Sequence, residues 1–200
     1  MKIIIDAMGG DLAPEAPVLG AIQAAKEDKT HIVLVGKGEE ILEVMRKHNL
    51  DDLPDTVEIA NADDVVDMHD DPATVLHKRK NSSMVIGLKM LSEGQGDAFI
   101  SAGSTGALLT GATLVVKRVK GIRRAAMGPA MPNKAGGKTV ILDCGANAEC
   151  TPEFLLQFGL VGSLYAKKYF GVESPKVGLL NIGTEDSKGT PLQKEAYGLL

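Results

Sequence analysis

Four segments of this 200-residue sequence combine glycine with carboxylate, amide, hydroxyl or ammonium side chains in patterns suited to an oxyanion. They are 6–11 (DAMGGD), 101–107 (SAGSTGA), 143–147 (DCGAN) and 181–189 (NIGTEDSKG). In the second, Gly103, Ser104, Thr105 and Gly106 are the most specific: missing Cβ atoms let an anion reach backbone N–H groups at a helix start, and two hydroxyls add donors. The same residues would equally serve as a tight turn with Ser104 as N-cap, and on this segment alone the two readings are level. Lys188 is the one cation within the four segments, beside Glu185 and Asp186, and suits neutralisation of a phosphate or a developing oxyanion. A solvated loop lysine is the commoner state of that residue type. Asp6 and Asp143 end apolar runs, where a carboxylate orients a lysine, accepts a proton or, most often, caps a helix. Asn147 and Asn181 can donate amide hydrogens to a carbonyl or phosphate, although Asn is also frequent in plain turns. Lys188, Asp143 and Asn147 are thus the catalytic candidates. Asp6, Gly9, Gly10, Gly103, Ser104, Thr105, Gly106, Gly145, Asn181, Gly183 and Thr184 are the substrate-binding ones. Neither GxxxxGK[ST] nor GxGxxG occurs, so the familiar nucleotide loops have no support.

The elements that must position these residues follow from hydrophobic pattern. β-Branched runs at 2–5, 31–35, 57–60, 98–101, 139–142 and 176–180 read as buried strands. Between them, Val18, Ile22 and Ala25, then Met84, Leu88 and Leu91, then Phe154, Phe158, Val161 and Tyr165 are spaced to form apolar helix faces. Asp71-Pro72, Thr151-Pro152 and Thr190-Pro191 read as helix starts, the last with Gln193 as a capping box. The alternation predicts an α/β fold with a mostly parallel, doubly wound sheet, three layers thick, in one main domain over residues 1–200. Strand ends in such a sheet open onto one crevice, so the four segments are expected to converge there. Residues 117–138, rich in Gly and Pro, read as an irregular connection with room for a short strand around 126–131. The helix begun at Thr190 meets no stop signal, so the chain reads as part of a longer protein.

Composition narrows the partners. Lys and Arg total 22 against 26 Asp and Glu, a net charge of −4, which disfavours nucleic acid and leaves any anion site local. Cys144 and Cys150 lack CxxC spacing, which suits a reducing cytoplasm, and the apolar run at 3–5 is too short for a signal peptide or a membrane span. The acidic stretch Asp63, Asp64, Asp67, His69, Asp70 and Asp71 has no fixed metal-ligand spacing, so a solvated loop is expected, with Asp71 as an N-cap and no metal. Lys78-Arg79-Lys80 just after it could meet an acidic protein or a phosphate arm, or be a plain surface patch.

Taken together and in order, DAMGGD, KNSSM (81–84 with Lys80), SAGSTGA, DCGAN and NIGTEDSKG resemble the acyl-ACP:phosphate acyltransferases of bacterial phospholipid synthesis, the PlsX family. The resemblance runs along the whole chain. Ser104 stands where many members have Asn and Cys144 where Val is common. What it implies is transfer of a long fatty acyl group from acyl carrier protein to inorganic phosphate. The product, acyl phosphate, would pass to a downstream membrane glycerol-3-phosphate acyltransferase. It also implies a fold like isopropylmalate dehydrogenase and phosphotransacetylase, a cytoplasmic homodimer with peripheral membrane contact, no cofactor, and a chain continuing beyond residue 200. In that reaction phosphate is itself the nucleophile. Residues 103–106 would cradle it, Lys188 would stabilise phosphate or oxyanion, and Asn147, Asn181 or Asp143 would orient the reacting groups. Short-chain phosphotransacetylase activity with coenzyme A, or a fragment that only binds phosphate or a partner, are the alternatives. An oxidoreductase would require a dinucleotide.

Overall fold

A computed structural model describes residues 1–185 and 187–200. Asp186, read with Lys188 above, lies outside the described residues. The chain divides into two compact units, Met1–Lys117 and Arg118–Leu200, and each is described by itself.

In the first unit four parallel strands, β1 (Lys2–Asp6), β2 (His31–Gly36), β3 (Val57–Asn61) and β4 (Ala98–Ile100), lie in the order β3-β2-β1-β4. Ile4 pairs with Val33 on one side and Phe99 on the other. The crossovers carry helices α1 (Glu15–Asp28), α2 (Gly38–Lys47), the single turn α3 (Val75–Lys78) and α4 (Ser83–Ser92). Strand β2 shows why its sequence is apolar without alternation. Ile32 and Leu34 pack with Val18 and Ile22 of α1 and Ile41 and Met45 of α2. Val33 and Val35 pack with Ile4 against Ile86, Met90 and Leu91 of α4. Period-two side chains thus feed two cores, one on each face, giving the α/β/α layering expected of a buried parallel sheet.

The chain winds outward from β1 to β2 and β3, then returns to the opposite side of β1 to form β4. The order reverses between β1 and β4, and ligands of open α/β sheets bind outside the carboxyl ends at such a reversal. After β4 comes α5 (Thr105–Gly111), prolonged by a π-helical turn at Ala112–Val116. The acidic stretch does not start a helix at Asp71: its Oδ1 accepts from Ala73 N at 3.0 Å inside a turn, and α3 begins only at Val75. Three further residues are needed because the Asp71-Pro72 turn closes through Thr74 N to Asp71 O first.

The second unit holds a two-stranded antiparallel ribbon, β5 (Ala130–Pro132) and β6 (Lys138–Val140), and two helices, α6 (Pro152–Phe170) and α7 (Pro191–Leu199). Two expectations are corrected here. The run at 139–142 contributes to this ribbon, pairing Thr139 with Met131, rather than to a parallel strand. The run at 176–180 forms no strand among the described residues: it has no ladder partner, and Leu180 is 90 % exposed. β-Branched composition fits a residue to a pleated surface but cannot supply the neighbouring strand whose N–H and C=O groups complete the ladder. The Thr151-Pro152 and Thr190-Pro191 starts are as read: Thr151 Oγ1 accepts from Phe154 N at 3.3 Å, and Thr190 with Gln193 forms the capping box of α7. Of the apolar face expected on α6, only Phe158 is buried. Among the described residues no helix is long and apolar enough to cross a membrane.

Candidate functional site

The reversal point of the first unit is built by a buried bracket. Asp6, at the end of β1, is 2 % exposed. Its Oδ1 accepts from Met8 N at 3.2 Å and its Oδ2 from Ser101 Oγ at 2.7 Å, and the same Ser101 Oγ accepts from Gly103 N at 3.1 Å. One carboxylate and one hydroxyl therefore hold the turn after β1 to the turn after β4. Gly9 makes that approach feasible: a Cβ there would stand 2.5 Å from Asp6 Oδ2 and 2.8 Å from Ser101 Oγ. Gly10, next to it, takes φ +108° and packs on Ala102. Asp6, Gly9, Gly10 and Gly103, from two of the four segments, are thus brought together, with Asp6 buried beneath the turns.

Ser104 Oγ accepts from Ala107 N at 3.4 Å, so Ser104 is the N-cap of α5. The N–H groups of Gly103 and Ala107 are consequently engaged inside the protein. In the first helical turn, those of Thr105 and Gly106 have no carbonyl four residues back within the helix and, among the described residues, no other acceptor, so they remain as donors at the positive end of the helix dipole. Gly106 also has a packing reason to be glycine, since a Cβ would come within 2.9 Å of Pro72 Cγ.

In the second unit the segment 143–147 is tied to 124–127. Asp143 Oδ1 accepts from Met127 N at 2.7 Å, and Oδ2 accepts from Asn147 N at 2.8 Å and from Asn147 Nδ2 at 3.2 Å. Asn147 Nδ2 also donates to Ala125 O at 2.9 Å, and its Oδ1 accepts from Arg124 Nε at 2.6 Å. The amide of Asn147 is therefore spent within the fold. Gly145 takes φ +92° at the outside of this turn, with open space where a Cβ would be. Arg124, 19 positions before Asp143, is not singled out by the sequence, because it closes a basic stretch with Lys117, Arg118, Lys120 and Arg123 in which no spacing distinguishes one cation from another.

The segment 181–189 folds on itself. Asn181 Oδ1 accepts from Ile182 N at 2.9 Å, its Nδ2 donates to Lys188 O at 3.4 Å, and Lys188 N donates to Glu185 O at 2.9 Å. Gly183 lies against the stem of Lys188, while Asn181, Thr184 and Lys188 are exposed. Among the described residues, no hydrogen bond joins this loop to 143–147, and no ion pair involves Lys188.

The acidic stretch and the basic patch turn out to satisfy each other. Arg79 Nε and Nη2 donate to the two oxygens of Asp70 at 2.9 and 3.3 Å, and Nη1 donates to Asp64 at 3.1 Å. The Arg79 guanidinium, helped by Asp67 N, holds the Asp70 carboxyl below its ordinary range, and Asp70 and Asp64 hold Arg79 above its own. Of the three adjacent cations only Lys78 and Lys80 stay exposed. Burial, aided by the Asp143 carboxylate, pushes the Cys150 thiol up, away from the thiolate a nucleophile would need.

A family model described as "Fatty acid synthesis protein" matches residues 1–200. Curated proteins named phosphate acyltransferase are similar along the whole chain: 45 % identical in Clostridium tetani, 46 % in Bacillus cytotoxicus and 47 % in Alkaliphilus oremlandii. The chain spans 58 or 59 % of the length of these relatives. Among solved structures, a phosphotransacetylase from Streptococcus pyogenes superimposes with a TM-score of 0.72 at 22 % identity, covering all of this chain and 64 % of that one. The EutD phosphotransacetylase from Staphylococcus aureus gives 0.71 at 23 %, covering all of this chain and 63 % of that one. At such identities the likeness speaks for the fold, which agrees with the three-layer α/β/α arrangement expected from the sequence.

Proposed function

This chain belongs to the fatty acid synthesis protein family, and from that premise we propose that it serves the transfer of a long fatty acyl group from acyl carrier protein to inorganic phosphate. The observation that carries the reading is the whole-chain similarity to phosphate acyltransferases. What supports it in the geometry is the start of α5 at the reversal point of the first unit, where Ser104 caps the helix and Gly103 and Gly106 leave the turn without side chains.

In the proposed reaction a phosphate oxygen attacks the thioester carbonyl carbon, the carbonyl π-electrons move onto oxygen, and the tetrahedral oxyanion collapses with loss of the carrier thiolate. The proton released from the attacking hydrogenphosphate goes to the thiolate, so acyl phosphate and the carrier thiol result. Phosphate needs no deprotonating serine or cysteine, so holding and orienting it is the main task. The Thr105 and Gly106 N–H groups, together with the Ser104–Thr105 hydroxyl segment, bind phosphate at the switch point. Asp6 and Ser101 set that turn from below. Lys188, on its exposed loop, supplies the positive charge that favours phosphate or the developing oxyanion. Asp143 and Asn147 act indirectly, by shaping the turn that carries Gly145. Gly183, Thr184 and Asn181 shape the lysine loop.

Acyl carrier protein as donor, homodimerisation, a cytoplasmic location with peripheral membrane contact, and delivery of acyl phosphate to a membrane glycerol-3-phosphate acyltransferase belong to the same proposal. Exposed Lys78 and Lys80 give an acidic carrier a smaller target than three cations would, because Arg79 is occupied. The test is an assay with palmitoyl-ACP or palmitoyl-CoA and phosphate, trapping acyl phosphate with hydroxylamine, run on this chain and on a relative-length protein. Product from the carrier thioester at a clear excess over the coenzyme A thioester is expected. Preference for short-chain coenzyme A thioesters would replace the reading by a phosphotransacetylase one.

A further inference from the structure

We propose that Arg124 is an oxyanion-binding residue of the second unit, aimed by Asn147 and taking a phosphate group. The inference deepens the phosphate-transfer reading and rests on it for the ligand chemistry. Two consecutive arginines make the contrast. Arg123 is committed to α6: its Nη1 meets Glu153 Oε2 at 2.7 Å and its N–H donates to Gln157 Oε1 at 2.8 Å. Arg124 makes no ion pair among the described residues; its single side-chain bond is from Nε to Asn147 Oδ1, and the residue is exposed. A guanidinium anchored through Nε alone keeps both terminal Nη groups as donors in a fixed plane, the fork that matches two oxygens of one phosphate.

The anchor is itself rigid. Asn147 has its Nδ2 hydrogens on Ala125 O and Asp143 Oδ2, which settles its amide orientation and leaves Oδ1 directed at Arg124. Asp143, the nearest anion in that network, would repel a phosphate if bare. Three N–H donors occupy its two oxygens, however, and none of them comes from Arg124. Asn positions a cation here without neutralising it. An Asp at 147 would have formed a salt bridge and cancelled the charge the site offers.

A phosphate dianion and the phosphodiester of a carrier-bound pantetheine arm present the same pair of oxygens, so the experiment carries both. The 200-residue chain, Arg124→Ala and Arg124→Lys are titrated calorimetrically with inorganic phosphate and separately with 4′-phosphopantetheine, after thermal melts confirm folding. Loss of about 10-fold or more in Arg124→Ala is expected, as for removal of a charge-assisted bidentate contact. Arg124→Lys should recover part of it, and millimolar guanidinium should partly rescue the Ala variant, which a merely structural role would not allow. Loss toward inorganic phosphate places Arg124 at the nucleophile; loss toward the pantetheine phosphate alone places it at the donor arm. Unchanged affinity for both, or no affinity in the wild type, overturns the proposal. Acyl-phosphate formation, measured in parallel, separates the two readings. Transfer with Arg124-independent binding sinks this inference alone, and Arg124-dependent binding without transfer from any thioester sinks the acyltransferase reading alone.

Discussion

Asp6 and Ser101 are 95 positions apart, and one hydrogen bond of 2.7 Å between them joins the turns after β1 and β4. Ser101→Ala would remove a donor from a buried carboxylate and the acceptor of Gly103 N–H in one step. A loss of about 1–3 kcal/mol in unfolding free energy is expected, most of it recovered by Ser101→Thr, which keeps the hydroxyl. Urea midpoints decide this, and a shift within error for Ala would deny the bracket its role. Lys188 behaves in the opposite way. It is exposed on its loop, so Lys188→Ala should leave the melting temperature unchanged while acyl-phosphate formation falls by about 100-fold or more, the scale of losing an oxyanion-stabilising group. Activity within a few-fold of wild type would remove Lys188 from the mechanism.

Helix starts and the two-faced strand are the element-level facts on which the site depends. Ser82, Ser104 and Thr151 each accept from the backbone N–H three residues on, and each is a small hydroxyl residue whose position before a helical pattern is readable from sequence. Strand β2 has to satisfy both cores, and Leu34 is fully buried on the α1/α2 side. Leu34→Ala should therefore cost about 2–5 kcal/mol, the range for a leucine-sized cavity in a close-packed interior. Chemical denaturation measures it, and a cost below about 1 kcal/mol would mean that α1 and α2 collapse onto the gap. The apolar run at 176–180 has no ladder partner among the described residues, and its exposed Val177 and Leu180 show that an apolar run alone does not make a strand.

At the scale of the whole molecule, surface ion pairs give the pH response its sign. Lys47 first, and then His48, hold the Glu15 carboxyl below its ordinary range, and Arg79 does the same for Asp70. A depressed folded value means that the unfolded chain takes up protons first as pH falls. The stabilisation is therefore complete above the ordinary carboxylate range and is lost as pH drops through that range toward the depressed values. Glu15 is half-exposed and Asp70 retains a partly exposed surface position, so the effect is modest and weakens with salt. Melting temperature followed from neutral to acid pH should fall more steeply at low salt than at high salt, and Arg79→Gln should flatten the fall. An unaltered profile in that variant would show that the Arg79 pairs contribute nothing measurable.

The sequence by itself determined the parallel sheet of the first unit, the hydroxyl caps at Ser104, Thr151 and Thr190, the polar turns that follow β1 and β4, and the family, because all are written in local residue type, spacing and order. Continuous apolar runs such as 2–5 and 31–35 suit strands covered on both faces, and a hydroxyl ahead of a helical pattern satisfies the N–H groups just beyond it. Tertiary structure alone decided which polar atoms face inward. It put Asp6 under its turn, spent Asn147 on its own fold, matched Arg79 with Asp64 and Asp70, and held Arg124 through Nε to Asn147 with no ion pair among the described residues. The reason is that a hydrogen bond forms between whichever donor and acceptor the fold brings within about 3 Å, and desolvation makes each buried group find one. Nothing in local sequence records a partner 95 or 23 positions away.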